Sequence, residues 1–202
     1  MLILPKSTEI KVMVAKQKIK KMLTQKDSFK TFDNEVSKCC IINEISENTT
    51  HISTGKEVKI IYILQFILKK ESFTYKLIEY FSKNTSQHII FILEHGNSCK
   101  VAVYKEKVLY TQNLSNNITL ELKGLDLSKV WDNLIIDIFD IKVEQGKTLK
   151  EQVQKNNEYD KFVLKIEKLE KKMRKEKQPL KKRELFEEYN RLKKELEQLK
   201  NG

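Results

Sequence analysis

The sequence predicts an α+β fold: a mixed or antiparallel sheet with flanking helices, joined to a C-terminal α-helical coiled-coil hairpin. Three observations lead there. Strand-like apolar runs alternate with amphipathic stretches over residues 1–140, apolar residues recur every three or four positions over 159–202, and only 5 of the 202 residues are Gly. With 40% hydrophobic and 33% charged residues, the chain joins a core to something highly charged and helical; it is not a disordered polymer.

Taken in order, Pro5-Lys6-Ser7-Thr8-Glu9 offers helix-start chemistry, a capping hydroxyl with a carboxylate close behind. A basic helical stretch follows around Ala15–Leu23, with Ile19, Met22 and Leu23 on one face. Val36–Ile45, rich in Val, Ile and Cys, reads as a strand, and Glu57–Lys69 is a near-continuous apolar run of the kind buried on both faces. Between them, ENTTHISTGK is turn chemistry. Ser72–Ser82 places Phe73, Leu77, Tyr80 and Phe81 at helical spacing. His88–Leu93, Cys99–Tyr104 and Val108–Thr111 are short strands, the first two joined by a hairpin turn at Gly96-Asn97. Asn113–Asn117 is a loop and Ile118–Leu122 an edge strand. Leu127–Phe139 returns to helical periodicity, with Val130, Trp131, Leu134, Ile135 and Ile138 facing inward.

The domain reading is a globular part over 1–140, a connector or helix start over 141–158, and a helical hairpin over 159–202. In the hairpin, Tyr159, Phe162, Ile166, Leu169 and Met173 recur at helical spacing, and Leu185, Tyr189, Leu192, Leu196 and Leu199 keep a 4-3-4-3 seam. Pro179 suits a first turn and not a helix interior, so it divides the segment and sets a basic bend near 174–180. One long kinked helix in a dimeric coiled coil is the alternative.

A net charge of +11 and a pI of about 9.4 favour polyanions. The competing explanation is a Lys-rich genome, which the abundance of Ile, Asn and Lys fits. Cys39, Cys40 and Cys99 have no metal-ligand spacing and read as reduced thiols in a cytoplasmic protein. MLILPKS is too short for a signal peptide, and the longest apolar run, Ile60–Leu68, is far short of a membrane span. A soluble, cytoplasmic protein with no membrane contact is expected.

Three stretches carry a family resemblance: LPKSTEI (4–10), THISTGKEVKIIYILQF (50–66) and EKLEKKMRKEKQPLKKRELFEEYNRLKKELEQL (167–199). Through them the chain resembles a prokaryotic family of unknown function encoded beside helicases and DNA methyltransferases in mobile or phage-defence gene clusters. The resemblance implies that company and no particular activity. It also implies carboxylates in the strand aligned with Ile63–Lys69, where this chain has Gln65 and Ile67.

The leading candidate site is the bend. Lys171, Lys172, Arg174, Lys175, Lys177, Lys181, Lys182 and Arg183 gather at one end of a hairpin if the chain reverses at Pro179, forming a contact for nucleic acid or an acidic partner. Cations at the end of the first arm suit the helix dipole, whereas Lys181, Lys182 and Arg183 open the second arm, where cations are disfavoured. A solvated helix end is the plain alternative. No aromatic interleaves the run, so base stacking is not suggested. The seam residues expected to hold the arms together are Ile166, Leu169, Met173, Leu185, Tyr189, Leu192, Leu196 and Leu199.

Glu57-Val58-Lys59 is the second candidate. On a strand, residues two apart share a face, and restriction-type nucleases use such an acid-x-Lys pair with an upstream acid, here Glu44, to hold magnesium and activate water. The element order suits a nuclease-like fold loosely. The same triplet spacing recurs at Glu9–Lys11, Glu121–Lys123 and Glu170–Lys172, which makes the pattern unspecific. Ser53-Thr54-Gly55-Lys56 lacks the first Gly of a phosphate loop, and His51, His88 and His95 are too scattered for a metal site. No catalytic residues and no cofactor are expected outside the nuclease reading.

The sequence thus points to a non-catalytic subunit of a bacterial antiphage-defence or DNA-processing complex. It would bind a larger helicase- or methyltransferase-type partner, and the basic hairpin would extend to a second contact, either an acidic protein surface or the backbone of double-stranded DNA. The alternatives are a metal-dependent DNA nuclease of the restriction type, built on Glu44, Glu57 and Lys59, and a homodimeric coiled-coil scaffold.

Overall fold

Apolar residues on both faces of the central strands build a six-stranded mixed sheet with helices on either side. The computed structural model describes residues 2–23, 26–114 and 117–201. Its elements are β1 (Leu2–Ile3), β2 (Glu9–Met13), α1 (Lys16–Met22), α2 (Lys26–Glu35), β3 (Val36–Ile45), α3 (Glu47–Thr50), β4 (Ile61–Leu68) and α4 (Lys76–Asn84). After them come β5 (His88–His95), β6 (Ser98–Lys105), β7 (Lys107–Tyr110), β8 (Ile118–Thr119), α5 (Leu127–Phe139), α6 (Leu149–Lys175) and α7 (Pro179–Asn201). The chain divides into two compact units, Met1–Val143 and Glu144–Gly202. Among the described residues no helix is long and apolar enough to cross a membrane.

In the first unit the sheet order β2-β3-β4-β5-β6-β7 follows the chain. Every neighbouring pair is antiparallel except β4 and β5, which run parallel and are joined through α4. Side chains alternate between faces, so Leu64, Phe66, Phe91 and Ala102 meet Ile19, Phe32, Leu77, Ile78 and Phe81 of α1, α2 and α4 on one side. Phe66 sits in the middle of the aromatic cluster, with ring centroids 5.4 Å from Phe32, 5.6 Å from Phe81 and 5.5 Å from Phe91. The other face carries Ile61, Ile63, Ile90, Ile92, Val101 and Val103, all buried. There α5 brings the Trp131 ring to 5.0 Å from His88, while Asp132 accepts an ion pair from Lys105 at 3.0 Å.

Several local expectations shift in the folded chain. Pro5–Glu9 starts no α-helix: Lys6–Thr8 is one 3-10 turn, and Glu9 opens a strand that pairs with β3. The strand expected from Glu57 begins at Ile61, because the Gly55 N–H donates to the Val58 carbonyl at 2.9 Å and turns the chain. The helix expected from Ser72 begins at Lys76, since Glu35 takes hydrogen bonds from the Thr74 N–H and hydroxyl, both at 2.8 Å, and fixes that segment against the end of α2. Ile118–Thr119 pairs in parallel with β1 in a separate two-stranded sheet and is not an edge of the main one. α2 has no counterpart among the expected elements; Phe29 and Phe32 are too few to display a period. Of the loop expected at Asn113–Asn117, positions 115 and 116 lie outside the described residues.

In the second unit, Thr148 and Glu151 form a reciprocal capping box that starts α6, so the stretch read as a connector or helix start holds its first turns. α6 stops at Glu176, and α7 starts with Pro179 at its first helical position.

Candidate functional site

The bend is made by a few local contacts. The Lys182 N–H bonds the Gln178 carbonyl at 3.0 Å, as expected of the first turn of α7, and the Gln178 N–H donates to the Glu176 carboxylate at 2.9 Å. Beyond it the helices pack antiparallel. Ile166, Leu169 and Leu192 form a buried cluster lined by Phe162, Leu185, Tyr189 and Leu196. The Tyr189 hydroxyl of α7 donates to Glu170 of α6 at 2.9 Å, a polar contact between the two arms beside the apolar cluster. Of the expected seam residues, Met173 and Leu199 are half-buried outside that cluster.

This reversal places all eight bend cations at one end of the unit, and every one of them is exposed. Charge is concentrated there: residues 144–202 hold 18 Lys and Arg against 12 Asp and Glu, and 171–183 account for eight of the former and one of the latter. The rest of the unit is therefore close to neutral, which uniform Lys enrichment does not produce. The one acid of the bend, Glu176, serves the turn. Among the described residues Arg183 is the only bend cation in an ion pair, with Glu187 at 3.2 Å, and both partners are largely exposed. Such a pair contributes little. Lys172, Arg174 and Lys175 complement the C-terminal dipole of α6, but the first turn of α7 has no acid.

The residues of the nuclease alternative are placed differently. Glu57 and Lys59 are exposed on either side of the buried Val58, in the irregular segment before β4 and not on a strand. Glu44 lies on β3 opposite Tyr62, and its carboxylate accepts from the Ser46 hydroxyl at 3.1 Å. The Glu44 carboxylate, together with burial, holds the Tyr62 phenol above its ordinary pKa, burial being the larger cause. Among the described residues no three His, Cys, Asp or Glu side chains come together as metal ligands. The Ser53–Lys56 loop abuts the N-terminus of α5, where the Leu127 N–H bonds the Ser53 carbonyl at 3.0 Å. Trp131 is a buried residue of α5; His51 follows α3, and His88 and His95 stand at opposite ends of β5.

A family characterised as a domain of unknown function, DUF4391, matches residues 2–196. The chain belongs to the DUF4391 family. No curated protein and no solved structure matches it.

Two features of this DUF4391 chain escape a linear reading. The first is a cleft of about 370 Å³ on the sheet, lined by Leu2–Leu4, Glu9, Lys11, Cys40, Ile42, Asn43 and Gln65. Gln65 donates its amide to the Glu94 carboxylate on the neighbouring strand at 2.5 Å. A carboxylate at 65, as the resemblance implies for relatives, would face Glu94 with like charge. The second is the aromatic Phe186, 51% exposed beside the bend, which shares a groove of about 360 Å³ with Arg174 and Lys182. Only the antiparallel packing reveals it, because Arg174 is twelve residues away in sequence.

Proposed function

We propose that this DUF4391 protein is a non-catalytic binding subunit of a bacterial antiphage-defence or DNA-processing complex, with the basic hairpin as its contact to the phosphate backbone of DNA. The observation that carries the reading is the gathering of eight exposed cations, seven without an ion pair among the described residues, on an otherwise near-neutral helical unit. Phosphates relieve the mutual repulsion of such a cluster and release counterions on contact. The turn-stabilising bond from Gln178 to Glu176 supports a fixed presentation.

The first unit is the side that docks to a larger partner of helicase or methyltransferase type. Its edge strand β2 supports this, with an open backbone edge and the exposed apolar residues Val12 and Met13. The setting in defence or DNA processing rests on the sequence resemblance. No observation favours the nuclease reading, because Glu57 and Lys59 share no strand and Glu44 is engaged with Ser46. The homodimeric scaffold is equally without support, since Leu185, Tyr189, Leu192 and Leu196 already pack within the chain.

The test is retention on heparin and on immobilised duplex DNA. The wild-type protein is expected to be retained in a salt-dependent way, and Lys181→Glu/Lys182→Glu/Arg183→Glu to elute at much lower salt with unchanged helix content. Equal elution of the two proteins would remove the reading.

A further inference from the structure

We infer that the groove carrying Phe186 is a stacking site for an unpaired base, so that the hairpin prefers single-stranded nucleic acid over duplex. This rests on the reading of the bend as a phosphate-binding surface and goes beyond it, since phosphate contact by itself does not separate single strands from duplex.

The groove is lined by Glu170, Met173 and Arg174 of α6 and by Lys182, Phe186 and Tyr189 of α7. Phe186 lies one helical turn after Lys182, so ammonium and ring share one side of α7. Arg174 comes from the facing helix. Both cations are exposed and neither has an ion pair among the described residues. The acid in the groove, Glu170, is half-buried and accepts the Tyr189 hydroxyl at 2.9 Å, which draws its carboxylate toward the helix–helix seam.

A large aromatic ring left half in water, outside the buried cluster and in one groove with two cations, is the arrangement used to hold a base against its π face while its phosphates meet Arg or Lys. Duplex DNA has its bases stacked internally and would leave Phe186 without a partner. An acidic protein segment would satisfy the cations, but it does not need a flat exposed ring beside them.

The experiment uses the full chain and measures fluorescence anisotropy of labelled oligothymidylate, a matching duplex and poly-glutamate. The expected results are tighter binding of oligothymidylate than of duplex, a loss of about tenfold or more for oligothymidylate in Phe186→Ala, and little change for duplex. Phe186→Trp should restore binding, with its added indole emission quenched by the oligonucleotide, while Arg174→Glu/Lys182→Glu should weaken both nucleic acids. Phe186 is exposed, so circular dichroism of the Ala variant should match the wild type.

Oligothymidylate binding unchanged in Phe186→Ala, or duplex or poly-glutamate preferred by the wild type, would overturn the stacking site. With duplex retained, that failure leaves the phosphate-binding surface standing. If the wild type binds neither nucleic acid, both readings fall together.

Discussion

Burial decides the chemistry of single residues here more than residue type does. Cys39, packed in the core face with Phe32 and Phe66, has its thiol pushed up to about 12 by burial and by its neighbour Cys40. Cys40 and Cys99 are half-buried. Brief alkylation of the native protein near pH 8 should therefore label Cys40 and Cys99 before Cys39, and peptide mass mapping reads the order. Glu144 is the opposite case. Hydrogen bonds from Lys147 at 2.5 Å and Lys155 at 2.8 Å bring its carboxyl down to about 2 from an ordinary 4.5. A lowered folded value means stability that is fully present above the unfolded pKa and lost as pH falls from about 4.5 toward 2. In Glu144→Gln the melting temperature should change less across that window than in the wild type.

At the scale of elements, close approach and seam packing set the costs. A Cβ at Gly55 would lie 2.0 Å from the Ser128 hydroxyl and 2.6 Å from the Ser128 amide nitrogen, and the backbone atom cannot swing away. Gly55→Ala should destabilise the first unit by about 1–3 kcal/mol in urea unfolding. The turn that looked like a fragment of a phosphate loop thus keeps its glycine for packing against α5. In the hairpin, Leu192 is 8% exposed at the centre of the α6–α7 cluster. Leu192→Ala should cost about 2–3 kcal/mol. It should also lower affinity for DNA indirectly, since the bend is assembled only while the arms are paired. Lys181→Ala should leave stability unchanged.

For the whole molecule, concentration of charge matters more than its total. The net charge of +11 alone supports weak, diffuse attraction to polyanions. Clustering at one bend supports a defined number of phosphate contacts, and log affinity for duplex then falls with log salt by about 0.9 per phosphate neutralised. Replacing Lys181, Lys182 and Arg183 by Ala should reduce that slope by roughly 3, whereas replacing the scattered Lys6, Lys56 and Lys142 should barely move it. A titration at several salt concentrations distinguishes the two.

The sequence by itself determined the elements whose signal is local and periodic. Val36–Ile45 and Leu127–Phe139 lie where the apolar spacing puts them, and Pro179 marks the break between α6 and α7, because backbone geometry translates spacing directly into a face. Tertiary structure decided what spacing does not encode. Glu35 delays α4 from thirty-nine residues away, the Gly55 turn seated against Ser128 of α5 keeps Glu57 and Lys59 off β4, and helix packing brings Phe186 into one groove with Arg174 of the facing helix. In each case the deciding partner is distant along the chain, and only burial and hydrogen-bond satisfaction in the folded state bring it near.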